Sequence, residues 1–272
     1  MQSNTRVGHS DWLALPPDLS VAGCLFVIGD VHGNAHLLEP ILDWIASEAH
    51  GAEADLVFLG DLIDRGHENF RTLALASREI PGIKTTILPG NHEIAMMKFM
   101  SGMRTAYDTW INMGGASMVQ EVHDMDGMAT HQEIRRMVRA RLPDGFEQRL
   151  MSGPTYLKRG SFILIHAGLD PQADDAETYL QTGMFGGDPA THWAMITDEF
   201  SDWSGGWERF GASAVVHGHQ PLLMEGWTEA VRTAHEELYS RGRLNLDFGS
   251  GIVDRLGGAQ IEGGRIRYFG VA

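Results

Sequence analysis

Five short apolar runs, rich in Val, Ile, Leu and Phe, each stop at a glycine beside a polar or ionisable residue. They are Leu25 to Asp30, Leu56 to Asp61, Thr85 to Asn91, Phe162 to Gly168 and Ala214 to His219. Runs that are continuous rather than alternating suit strands buried on both faces. Such strands need helices over them, and the segments between supply them. Leu37, Leu38, Ile41, Leu42 and Ile45 fall at helical spacing, with Asn34 as the expected cap and Gly51 as the stop. Pro40 is compatible with that helix only near its start. Phe70, Leu73 and Leu75 mark a shorter helix that ends before Pro81. Strands alternating with helices, joined by right-handed crossovers, run parallel and bring their ends to one sheet edge. The expected fold class is α/β.

From Ile94 to Arg159 the chain is rich in methionine and poor in strand signals, with a helical stretch from Gln132 to Leu142. It reads as a helical insertion above the sheet, over about 94–159, with its methionines packed inward. Farther on, Leu244, Leu246 and Phe248, then Ile261, Ile266 and Tyr268, alternate like strands, with a hairpin turn at Gly263-Gly264. The length of 272 residues suits one domain spanning 1–272. With Lys+Arg 21 against Asp+Glu 36, the net charge of −15 argues against nucleic acid and anionic membranes as partners. No window matches a membrane span, and the apolar stretch from Trp12 to Pro17 is too short for a signal peptide, so a cytoplasmic location is expected. The single cysteine, Cys24, excludes an intrachain disulfide and a thiolate zinc site.

The strand ends carry the chemistry. They read Gly29-Asp30-Val31-His32-Gly33, Gly60-Asp61-Leu62-Ile63-Asp64-Arg65-Gly66, Gly90-Asn91-His92-Glu93, His166-Ala167-Gly168 and His217-Gly218-His219. Carboxylate, amide oxygen and imidazole without thiolate favour a divalent manganese, iron or zinc ion. Asp30, His32, Asp61, Asn91, His166 and His219 make six candidate ligands. Six is too many for one catalytic ion with an open position and suits two ions sharing a carboxylate.

The set GDVHG, GDLIDRG, GNHE, HAG and HGH, in this order, resembles the metallophosphoesterase superfamily. Within it the chain is most similar to the serine/threonine phosphoprotein phosphatases and their small bacterial and phage relatives, over roughly residues 25 to 250. The resemblance implies a calcineurin-like fold, a central β-sandwich flanked by helices. It implies Asp30 and His32 on a first ion, Asp61 as the bridge, and Asn91, His166 and His219 on a second. It makes His92 the general acid for the leaving oxygen, paired with Asp64, and Arg65 the phosphate clamp, with Asn91 also near the phosphate. His217 precedes the ligand and is expected beside the site rather than on an ion. The implied cofactors are two divalent ions, manganese first, with iron or zinc also accepted, activating a water for attack on phosphorus.

The substrate expected from this resemblance is a phosphoserine or phosphothreonine protein, or another small phosphoester. The alternative from the same superfamily is a dinucleoside polyphosphate such as diadenosine tetraphosphate. Against it stand Asp64, where such relatives typically have Ala, Glu93, where they have Asp, and the HGHQ segment. A non-catalytic scaffold is disfavoured because the ligands and the acid are all present. Relatives commonly carry a second phosphate-binding arginine between HAG and HGH, in a segment resembling Trp-Ile-Arg. Here Met195-Ile196-Thr197 stands in its place, and Arg209, the only arginine between those motifs, is the substitute candidate. Gly205-Gly206, with Trp203 and Trp207, reads as a loop bordering the substrate.

Overall fold

A computed structural model describes residues 6–123, 127 and 129–272. In chain order the strands are β1 (Gly8–His9), β2 (Leu13–Ala14), β3 (Val21–Ile28), β4 (Ala54–Phe58), β5 (Ile83–Ile87), β6 (Tyr156–Arg159), β7 (Phe162–Ile165), β8 (Ala214–His217), β9 (Arg243–Asn245), β10 (Leu256–Gly263) and β11 (Arg265–Val271). The helices are α1 (Ala35–Ala49), α2 (Asn69–Ala76), α3 (Asn91–Met100), α4 (Ala106–Trp110), α5 (Ala116–Gln120), α6 (His131–Arg141), α7 (Phe146–Ser152), α8 (Ala176–Leu180), α9 (Asp198–Ser201) and α10 (Trp227–Arg241). A π turn, Ile111–Gly115, joins α4 to α5, and a 3-10 turn spans Glu208–Phe210.

Two sheets form. One has the order β1-β11-β10-β3-β4-β5 with β2 against β11, and the other is β6-β7-β8-β9. The fold is the expected mixed α/β sandwich, but the five runs do not share one sheet edge. Three enter the first sheet as parallel β3, β4 and β5, and two enter the second as parallel β7 and β8. Side-chain alternation explains why the runs are continuous. On β3, Phe26 and Ile28 face the core under α1 and α2, while Leu25 and Val27 face the core that also holds Leu164, Val216 and Leu244 from the second sheet. Each face is dry, so neither can be polar. Burying one such side chain contributes about 1.5–3 kcal/mol.

Local departures have local causes. Asn34 does not cap α1; its amide donates to the carbonyls of Val31, His32 and Ser250 at 3.0, 3.0 and 2.8 Å. The helix stops one residue before Gly51, at His50, whose φ of 49° is left-handed. Pro40 lies inside α1, past its first turn, rather than near the start. The expected insertion is helical from α3 through α7, yet its last residues form β6, paired antiparallel with β7. Residues 124–126 and 128 of that stretch lie outside the described residues. The expected helix from Gln132 is α6, begun by Thr130, whose hydroxyl accepts from the Glu133 amide at 3.3 Å. Met96, Met97, Met100 and Met118 are buried, as packing predicts, but Met103 and Met151 of the same stretch face outward. Gly263 lies in the β10–β11 turn, as expected. Among the described residues no helix is long and apolar enough to cross a membrane.

Candidate active site

The loops after β3, β4 and β5 meet those after β7 and β8, so the candidate residues come from both sheets. Among the described non-glycine residues, positive φ occurs at His32, His50, Asp61, Asp64, Arg65 and His219. All but His50 belong to the motifs. Left-handed backbone costs of order 1–3 kcal/mol per residue and persists where surrounding structure over-determines it. Here that structure is visible. The Glu93 carboxylate, fully buried, accepts from the backbone amides of Asp61, Leu62 and Gly90 at 2.8, 2.8 and 2.9 Å, tying the second motif to the third. Buried Asn69 accepts from the Asp64 amide at 2.6 Å and donates to the Gly66 carbonyl at 3.0 Å. Gly60 and Gly90 allow close backbone approach: a Cβ on Gly90 would lie 2.1 Å from Asp61 Oδ1.

Asp61 stands at the centre. Two sets of ligating atoms converge, His32 with Asp61 and His92, and Asp61 with His166 and His219, and Asp61 is the member they share. Its Oδ2 lies 3.7 Å from His32 Nε2, and its Oδ1 lies 3.4 Å from His166 Nε2. Asp30 approaches His32 Nε2 at 4.0 Å and accepts the His219 amide at 3.1 Å on each carboxylate oxygen. His32 Nδ1 is 3.0 Å from the Ile63 carbonyl and His166 Nδ1 is 2.8 Å from the Leu59 carbonyl. Those contacts fix the proton on Nδ1 and turn the Nε2 lone pairs inward, the orientation a metal ligand requires. One end of the Asn91 amide lies 3.0 Å from both His166 Nε2 and His219 Nδ1. Without a cation the NH2 end belongs there, donating to both rings and to Asp61. Were a cation bound there, the Asn91 carbonyl oxygen is the atom that would hold it.

Charge points the same way. Burial, then Asp247 and Asp61, push the Asp30 carboxyl well above its usual range. Burial and Asp61 raise Glu93 to about 7, and burial chiefly raises Asp247 to about 6. Burial also raises Asp61, but the rings of His166, His92 and His32 win and hold it well below the carboxylate range. Burial keeps His32 and His219 neutral, at about 3 and about 4. Buried carboxylates crowded against one another and among imidazoles, with His32 and His219 kept neutral by burial and His166, against the burial that lowers it, shifted upward chiefly by Asp61, are a donor set that divalent cations would stabilise, so the residues fit the implied metal ions. Asp247 belongs to none of the five motifs. Its signal was present: the run Arg243 to Phe248 also ends on a carboxylate and a glycine.

His92 sits on the Arg65 side of Asp61 and shares a ligand set with His32 and Asp61. Its Nδ1 is 2.8 Å from Asp64 Oδ2, and Nε2 lies 3.2 Å from Arg65 Nη2 and 3.9 Å from Asp61 Oδ2. Burial lowers the His92 pKa, but Asp61 and Asp64 outweigh it and the net shift is upward. Asp64 is fully buried and takes a further hydrogen bond from Trp110 Nε1, 3.1 Å from Oδ1 and 3.0 Å from Oδ2. The helical segment therefore completes the site, which no motif announced. Arg65 is exposed at the mouth, its amide bonded to the Gly114 carbonyl at 3.2 Å.

Arg209 is not brought to this cluster. Its guanidinium donates to the Pro171 carbonyl at 2.8 Å and to the Ala173 carbonyl, and no hydrogen bond or ion pair among the described residues joins it to the other candidates. The Trp203–Phe210 segment is likewise less of an open loop than expected, because Trp207 is buried against Phe200. His217 joins neither ligand set. Its ring meets Phe200 edge-on, and burial lowers its pKa to about 3.

Residues 25–223 match the model of the calcineurin-like phosphoesterases. The chain is 25% identical over 215 residues, 72% of its length and 77% of the relative's, to an asymmetrical bis(5′-nucleosyl)-tetraphosphatase of Oceanobacillus iheyensis. A metallophosphoesterase from Sphaerobacter thermophilus shares the fold, with a TM-score of 0.50, 19% identity, and coverage of 92% of this chain and 88% of that one. So does a cold-active protein-tyrosine phosphatase of a Shewanella species, with a TM-score of 0.50, 15% identity, and coverage of 93% and 80%. With the family model spanning most of its length and both sheets delivering the motif residues to one centre, the chain belongs to the calcineurin-like phosphoesterase family.

Proposed function

We propose that this phosphoesterase hydrolyses dinucleoside polyphosphates such as diadenosine tetraphosphate at the Asp61 centre. The observation that carries the substrate class is the kinship over 215 residues to a bis(5′-nucleosyl)-tetraphosphatase. Asp30, His32 and Asp61 would hold one divalent ion, and Asp61, Asn91, His166 and His219 a second. Bound there, the ions supply Lewis acidity and an activated water for in-line attack at phosphorus. The protein's own groups do the rest. Arg65 offers a planar fork of donors to the phosphate oxygens at the mouth of the site. Asp64, fixed by Trp110, holds the Nδ1 proton of His92 so that Nε2 faces the cleft and can deliver a proton to the leaving oxygen. Glu93 and Asn69 keep the strained loops in register with each other.

A second reading draws on the same Asp64–His92 pair. A departing serine or threonine alkoxide needs a proton far more than a departing nucleotide phosphate does, and this buried, well-held acid suits the harder case. That is the observation favouring a phosphoserine or phosphothreonine substrate.

The two readings separate when kcat/KM for diadenosine tetraphosphate, a panel of phosphoserine and phosphothreonine peptides, and an aryl phosphate are compared under one manganese condition. The expected result is a dinucleotide value at least roughly ten-fold above every peptide, about 1.4 kcal/mol in transition-state stabilisation. A peptide ahead by that margin would establish the second reading instead.

A further inference from the structure

Among the described residues the large, well-exposed hydrophobic side chains are Met103, Met151, Leu223, Met224, Tyr239, Ile252 and Val253. Leu223, Met224, Ile252 and Val253, between 39% and 59% exposed, stand on two loops, one after the His219 motif and one after Asp247. The loops meet at Gly249, where a Cβ would lie 3.2 Å from both Leu223 Cδ2 and Val253 Cγ2. The patch is continuous with the active site. Gly251, next to Ile252, lies so close to it that a Cβ would come within 2.5 Å of His32 Cδ2 and 2.8 Å of Arg65 Nη1.

These tips are held, not loose. Arg255 is 5% exposed and joins the loops: its Nε donates to the Phe248 carbonyl at 2.8 Å, Nη2 to the Leu222 carbonyl at 2.6 Å and Nη1 to the Met224 carbonyl at 3.3 Å. The Leu222 amide donates to the Asp247 carbonyl at 2.8 Å. Ser250 Oγ donates to the Asp30 carbonyl at 2.6 Å, and Asn34 Nδ2 to the Ser250 carbonyl at 2.8 Å, so the second loop is fastened to the first metal-ligand motif. A buried arginine with its donors on three carbonyls is an expensive way to support loops whose tips then face solvent. The cost is explained if something apolar covers the tips while a phosphate sits on Arg65.

We propose that Leu223, Met224, Ile252 and Val253 form a platform for the nucleobase attached to the phosphate being cleaved. The proposal rests on reading the substrate as a dinucleoside polyphosphate and says where its base goes. Flat aliphatic and thioether surface suits the apolar face of a purine, and phosphate at Arg65 leaves the nucleoside to extend past Gly251 onto the patch.

The test titrates the manganese-loaded protein calorimetrically with AMP and with ribose 5-phosphate, which lacks only the base. Burying one methylene's worth of surface is worth roughly four-fold, so the base should tighten binding by roughly ten-fold in wild type. In the double variant Leu223→Ser, Ile252→Ser that ratio should fall toward one. Both positions are more than half exposed, so the variant is expected to fold, and unchanged thermal unfolding checks this. Equal affinities in wild type, or a ratio that survives the double substitution, would overturn the platform. If the ratio survives and sedimentation shows that the variant breaks a dimer, a second copy of the chain is the occupant instead. An AMP preference lost in the variant, in a wild-type enzyme that prefers phosphopeptides, would keep the platform and sink the dinucleotide reading.

Discussion

Asp61→Asn is expected to lower kcat/KM by roughly 10³-fold or more, at least about 4 kcal/mol in the barrier, and to leave the fold standing. Asparagine keeps the size of Asp61 and the oxygen that accepts from the His92 amide at 3.1 Å. The backbone amide of residue 61 still donates to Glu93 at 2.8 Å. What disappears is the charge that both ligand sets share, and with it the one group able to serve two ions. No other ligand substitution reaches both sets, so Asp61→Asn should exceed Asp30→Asn or His219→Asn. Elemental analysis of the variant should show loss of both ions, and thermal unfolding should show a cooperative transition like that of wild type. Turnover near wild type would mean that Asp61 does not bridge.

His92→Asn should separate metal binding from proton delivery. His92 shares a ligand set with His32 and Asp61, its Nε2 3.9 Å from Asp61 Oδ2 and its Nδ1 on Asp64, and the acid role proposed above requires that it hold no ion. The variant should therefore keep its metal content. General acid catalysis typically contributes roughly 10²–10⁴-fold, and the loss should scale with the basicity of the leaving group. An alkyl phosphate should suffer near the top of that range. An activated aryl phosphate, and a dinucleotide whose leaving group is a phosphate, should suffer near or below the bottom of it. Equal losses on all three would contradict the acid role, and loss of metal would make His92 a ligand. Asp64→Asn should follow the same ordering, because the carboxylate acts only through the imidazole that it orients.

The sequence carried more of the chemistry than of the architecture. Metal-ligand candidates are legible because a strand buried on both faces admits no ionisable group until it ends, so each run of apolar residues announces its own terminus. Sheet partnership is not legible in that way: the runs ending at His166 and His219 look like those ending at Asp30 and Asp61, yet they belong to the second sheet. Pairing is decided by long-range packing that a local period does not encode. Asp247 is hard to see because it follows a strand of only three residues, Arg243–Asn245, and Asn34 does not cap its helix because its amide finds carbonyls of its own turn and of Ser250 across the fold. The place of Arg209 between two motifs says nothing of the Pro171 and Ala173 carbonyls that hold it, contacts that exist only in three dimensions. Trp110 shows the same limit from the other side, a residue in a segment without motifs that donates to the Asp64 carboxylate.

The central claim is that this centre is dinuclear, and metal stoichiometry in the active enzyme tests it most directly. Protein prepared with manganese, freed of loose ions and assayed beside its elemental analysis should contain two ions per chain at full activity. Chelation should remove activity, and readdition should restore it as the second equivalent binds. Full activity with a single ion per chain, or activity that survives complete removal of metal, would contradict the account.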